Sequence, residues 1–202
     1  METLPNDDDA LVIARMRAWV ERAVIGLNLC PFARAVQVKG QVRYVVTPAE
    51  DEDALLAALC EEMHRLADAD PAAHDTTLLI HPRVLGDFLD YNDFLEAADA
   101  AVDELGYAGV LQVASFHPRY QFEDTDEDDV TNATNRAPYP TLHLLREASV
   151  DRAVDAFPEA ESIYERNIET LERLGADGWA ELQAQCEADA RAAVDGGRSE
   201  LN

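Results

Sequence analysis

The sequence predicts an α/β fold: a small, mostly parallel sheet built from βα units, with flanking helices and a C-terminal helical pair. Three runs rich in β-branched and apolar residues, at 42–46, 76–80 and 110–116, read as strands, and the stretches between them read as amphipathic helices. Each strand runs into a polar residue followed by proline, at Thr47-Pro48, His81-Pro82 and His117-Pro118, spaced 34 and 36 residues apart. A strand–helix–strand repeat of that length is a βα crossover, which implies parallel neighbouring strands with right-handed connections. Open α/β sheets bind ligands at the C-terminal edge of such strands. His81 and His117 are therefore expected at one edge of one sheet.

Taken in order, Asp7, Asp8 and Asp9 can cap a helix running to about Ile25, with Leu11, Met16, Trp19, Val20 and Val24 as its apolar stripe. Gly26 and Asn28 end it. Residues 36–38 and 42–46, separated by Lys39-Gly40-Gln41, read as two short strands, the pattern of a hairpin. A helix follows over 50–66, with Leu55, Leu59, Met63 and Leu66 on one face, then the buried strand at 76–80. A second crossover helix spans 87–105 and stops at Gly106, before the strand at 110–116. Residues 141–147 read as a short helix. Pro158 suits the first turn of a helix ending at Leu174-Gly175, and Asp177 caps a last one carrying Trp179, Leu182 and Cys186. Residues 1–194 are expected to form one domain, with a frayed tail from Asp195.

Composition narrows the function. The formal net charge of −25 repels phosphates, so nucleic acids and acidic membrane surfaces are poor partners. No apolar run approaches the ~20 residues of a membrane span, and three cysteines without CxxC spacing fit a reducing cytoplasm. The basic residues are almost all arginine, Lys39 being the one lysine. Arg34, Arg83, Arg119, Arg136 and Arg146 fall near the cysteine and histidines discussed next. Arginines converging in one cleft would suit a small carboxylate or phosphate.

Residues 117–140 carry neither helical nor strand periodicity, yet their flanks hold Phe116, Tyr120, Phe122 and Tyr139, the wrong composition for a solvated linker. This is read as a site-forming loop. Cys30 lies in LNLCPFAR, where Pro31 can open a helical turn and place the thiol at its N-terminus. That setting lowers a thiol pKa. Cys60 and Cys186 instead fall on apolar helix faces. His117 and His143 flank the loop, and with Cys30 they form the expected catalytic set. The cofactor is left open by the sequence; a divalent metal is the candidate, with His81 and His117 as its ligands, although no compact zinc motif is present. Asp124, Asp126 and Asp128 imitate a calcium loop, but Asp129 stands where glycine is needed and Asn135 where glutamate is needed. Asn135, Arg136 and Tyr139, fixed by Pro138 and Pro140, are expected to bind a small anion with Arg119, Arg146 and Glu147. There is no GxxxxGK[ST], GxGxxG or GxSxG motif.

The strings GLNLCPFA, ASFHPRYQF and TNRAPYPTLHLLREASV resemble a bacterial family of uncharacterised proteins, a domain of unknown function with plant relatives. The likeness runs from the first helix to Leu174. It implies that Cys30, His117, Asn135, Arg136, Tyr139, His143, Arg146 and Glu147 occupy the family's motif positions, and it implies no activity. The reading from sequence is a cytoplasmic enzyme that acts on a small anionic metabolite by thiol or metal-assisted hydrolytic or transfer chemistry. The alternative is a non-catalytic module that binds a protein or a small anionic ligand.

Overall fold

The computed structural model describes residues 8–157 and 162–199. Asp8 caps α1 (Asp9–Trp19), its carboxylate accepting from the Ala10 N–H, and the helix widens into a π-helical turn at Val20–Ile25. Then follow α2 (Ala33–Val38), β1 (Val42–Val46), α3 (Glu52–Asp68), β2 (Thr76–Ile80), α4 (Phe88–Glu104) and β3 (Leu111–Phe116). A 3-10 turn (Val130–Thr134) interrupts the long loop before β4 (Thr141–Arg146), α5 (Glu147–Asp155) and α6 (Ile163–Ser199).

The α/β class holds, but the sheet is mixed rather than mostly parallel. Its order is β1-β2-β4-β3, and only β1 and β2 pair in parallel. β1, β2 and β3 do run the same way, as the crossovers require. β4 returns in the opposite direction and occupies the place between β2 and β3. The segment expected as a helix at 141–147 is this strand. Leu142 and Leu144 face the core under α3 and α4, while Thr141 and His143 alternate to the other face, so the period of two prevails. The second correction is at 36–38, which belongs to the short helix α2. Gly40 (φ +68°) closes that helix in a left-handed conformation, with its N–H bonded to the Gln37 carbonyl.

Two apolar layers sandwich the sheet. Leu55, Leu59, Met63, Tyr91, Phe94 and Leu79 fill one side. Val12, Met16, Trp19, Leu78, Ile80, Tyr139 and Trp179 fill the other, beneath α1 and α6. The expected C-terminal helical pair is present as two runs of α6 on either side of Gly175 (φ +69°, ψ 172°). Pro158 lies outside the described residues, and the tail expected to fray from Asp195 is helical through Ser199.

The register aligns Ile80, Thr141 and Phe116 in one row, so His81 and His117 leave the sheet at the same edge, as the repeat predicts. Fully buried Tyr91 ties that edge together. Its hydroxyl donates to the Thr141 carbonyl (2.9 Å) and accepts from the Phe116 N–H (3.1 Å). Its ring lies between His81 (5.6 Å between centroids) and His117 (5.1 Å). Tyr91→Phe is predicted to cost about 1–3 kcal/mol, because it strips partners from buried main-chain groups. Denaturant unfolding measures this, and a loss below a few tenths of a kcal/mol would show that the hydroxyl does not hold the edge.

Candidate ligand site

His81 and His117 leave the sheet at one edge as expected, whereas His143 lies within β4 opposite Leu78 and Ala114, and all three are engaged in structure. His117 is fully buried; its Nδ1 accepts from the Arg119 N–H (3.0 Å), so its Nε2–H donates to the Leu85 carbonyl (3.2 Å). His81, equally buried, donates from Nδ1 to the Val84 carbonyl (3.1 Å), which leaves its Nε2 lone pair without a partner. Between them they pin the turn before α4, where Leu85 takes a left-handed conformation rare for leucine (φ +56°). Half-buried His143 donates to the Thr76 hydroxyl (2.7 Å), whose own proton goes to the Leu144 carbonyl (2.6 Å). Among the described residues, no group of three or more His, Cys, Asp or Glu side chains is placed to hold a metal ion.

Half-buried Cys30 sits after the π-helical turn and Asn28, itself left-handed (φ +57°), with its N–H on the Val24 carbonyl. Burial pushes its thiol up, and the opposing pull of the Phe32 and Ala33 N–H groups does not overcome it. A short helix does follow, but it opens at Ala33 with Phe32 as its N-cap rather than at Pro31, and the thiol moves in the opposite direction from the one a helix start predicts.

The arginines separate. Arg146 is at the far end of β4, a six-residue strand, roughly 17 Å along the strand from the histidine edge. Its guanidinium donates to the carbonyls of Leu66, Ala69 (2.8 Å) and His74 (3.3 Å), closing the end of α3. Neither an anion site beside His117 nor an ion pair with Glu147 is formed by it. Glu147 opens α5 with its N–H on the Val110 carbonyl. Arg119 reaches the Gly86 carbonyl (2.9 Å) and the Asp87 carboxylate (3.2 Å). Asn135 bonds the Ser115 carbonyl through its side chain, and its own carbonyl accepts from the His117 N–H. The loop itself is ordered around buried Asn132, whose amide bonds the Phe122 N–H, the Thr125 hydroxyl and the Asp126 carbonyl.

Arg136 and the residues after it reach a different place. A cavity of about 120 Å³ lies between α1, the second run of α6 and residues 136–138, and Arg15, Trp19, Arg136, Pro138, Trp179 and Glu187 are in its wall. Arg15 grips Glu187 with two bonds (2.6 and 2.8 Å) and donates to the Tyr139 hydroxyl (2.6 Å). That grip, helped by Arg191, draws the Glu187 carboxyl down to about 2. Arg136 instead donates to main-chain carbonyls, those of Tyr120 (2.9 Å) and Glu127 (2.6 Å). Carbonyls fix the guanidinium without an ion pair, and the Glu127 and Asp129 carboxylates act on it only from further off. A second groove between α1 and α6, about 590 Å³, is walled by Ala10, Ala14, Ala18, Ala193 and Gly197 with Arg17, Glu21 and Asp189 among them.

The family model described as "Protein of unknown function (DUF1415)" matches residues 11–181. The chain belongs to this family. No curated protein and no solved structure matches it. The family assignment expected from the motifs stands, and the matched segment contains Arg15, Trp19, Arg136 and Trp179 but stops short of Glu187.

Sequence reasoning found Arg136 and missed the rest of this wall. Trp179 and Cys186 read as an ordinary apolar helix stripe, and Arg15 and Glu187 are 172 residues apart. No local signal connects them.

Burial holds His81, His117 and His143 near 4, well below the usual imidazole range. In the unfolded chain the same rings take up protons below about 6.5. Their stabilisation is thus complete above that pH and is lost as pH falls toward 4. Unfolding at pH 5 is predicted to take up protons, with stability falling by roughly 1–2 kcal/mol per fully buried histidine between pH 7 and pH 5. Half-exposed His143 contributes less. A flat stability across that range, with no proton uptake, would contradict this assignment.

Proposed function

We propose that the protein is a binding module for a small organic anion, held in the cavity between α1, α6 and residues 136–138. The observation that carries this reading is Arg136: it lines the cavity and its hydrogen bonds go to main-chain carbonyls, so no carboxylate is bonded to it, although Glu127 and Asp129 act on it from further off. In a chain of net charge −25, such a cation is a local exception. Bidentate guanidinium–carboxylate bonds are among the strongest polar contacts, and a partly enclosed, mostly apolar wall screens them less than water does. Arg15 is bonded in two places to Glu187, a carboxylate it shares with Arg191, so its charge is largely taken up there and the contact stiffens the wall by clamping α1 to α6.

Thiol or metal-assisted chemistry on the same class of molecule has less support. It needs an activated Cys30 thiolate, whereas burial raises that thiol. It also needs a free imidazole at His117, whose two ring nitrogens are both bonded.

Titration calorimetry of the full chain with a panel of small carboxylates tests the proposal. Arg136→Gln should weaken binding at least roughly tenfold, as expected for losing a hydrogen bond to a charged group. Because Arg136 also holds the loop, Gln183→Trp provides a second arm: this exposed position on the cavity wall accepts a bulky ring without touching the core. It should block binding and leave the melting temperature unchanged. Undiminished binding in both variants would move the site elsewhere and end this reading.

A further inference from the structure

We infer that the bound anion is a single-ring aromatic carboxylate, with its ring against Trp19 and Trp179 and its carboxylate at Arg136. This rests on the cavity being the anion site and names the class of molecule that fits it.

Size sets the first limit. A volume of about 120 Å³ equals roughly four waters of bulk liquid, and a dry cavity of about 150 Å³ is known to take a benzene ring. One ring fits, with its charged group reaching the open side. Nucleotides and other extended cofactors require pockets of several hundred Å³.

The wall sets the second limit. The chain has two tryptophans, and both line this cavity while being almost fully buried. Ala23, Ala137 and Leu182 complete an apolar surface around them. Trp19 is held in place by an edge-on contact with Phe116 (5.2 Å, 69°), so its ring does not have to be ordered when a ligand enters. Aromatic rings gain from offset or edge-on contact with each other beyond the area they bury. A saturated ring of similar size gains only the burial.

The charges set the third. Of the two arginines in the wall, Arg15 is bonded to Glu187, and Arg136 is bonded to main-chain carbonyls with Glu127 and Asp129 acting on it only from further off, which leaves one guanidinium for a ligand. One guanidinium satisfies a carboxylate, but phosphate or sulfate would lose its hydration against the apolar wall without enough donors to replace it.

Calorimetric titration of the full-length protein with benzoate, cyclohexanecarboxylate and inorganic phosphate separates these possibilities. Benzoate should bind roughly threefold to tenfold more tightly than cyclohexanecarboxylate, and phosphate should bind more weakly than either. Trp179→Leu should erase the preference for benzoate while cyclohexanecarboxylate still binds. The ligand comparison on the unmodified protein stands even if that variant folds poorly. Equal affinity for the two ring acids, or phosphate binding as tightly as benzoate, overturns the aromatic inference and leaves the anion module standing. No binding by any of the three at millimolar concentration overturns both.

Discussion

The insertion of β4 between β2 and β3 is the constraint on which the remaining structure depends. Two right-handed crossovers lay β1, β2 and β3 down in one direction, and β4 enters antiparallel, hydrogen-bonded on both sides. To enter there, the chain must first travel from the end of β3 back to the same edge. Residues 117–140 make that journey, and they do so as an ordered loop pinned by Asn132, Arg136 and His117. The loop therefore has a structural task of its own. It delivers Tyr139 and Arg136 to the α1–α6 side of the sheet, where the cavity forms.

The same insertion explains why the polar residues of the TLHLLRE motif do not converge. A strand separates its ends, so Thr141 meets Tyr91 at one edge while Arg146 closes α3 at the other. Within the strand, alternate side chains face opposite layers, and His143 points away from the side that Leu142 and Leu144 fill. Had this segment been the helix its leucines suggested, His143 and Arg146 would have shared a face.

Much of the framework was legible. α3, α4, β1, β2 and β3 carry strong periodic patterns, and the common edge of His81 and His117 followed from the repeat alone. β4 was not, because in a six-residue run Leu142, Leu144 and Leu145 satisfy helical and alternating spacing alike. α2 was misread because Val36 and Val38 alternate like a strand, while the decisive residue is Gly40 just beyond them. For the site, local sequence identified residue types and loop but not partners. That His117 would spend both nitrogens on main-chain groups, or that Cys30 would be buried enough to lose its helix-start advantage, depends on packing from distant segments. Arg136 stood out in the sequence; that it would share a cavity wall with two tryptophans did not.

The cavity brings opposing electrostatic scales together. At long range the chain repels anions, but that field fades within about 8 Å at physiological ionic strength. At contact, Arg136 sits in a partly enclosed, mostly apolar wall, and the neighbouring Arg15–Glu187 contact holds the two helices together. A crystal structure of the protein grown with benzoate tests this account most directly. It predicts ring density between Trp19 and Trp179 with carboxylate oxygens within about 3 Å of the Arg136 guanidinium. A cavity holding only water, with benzoate absent or bound at another surface, would contradict it.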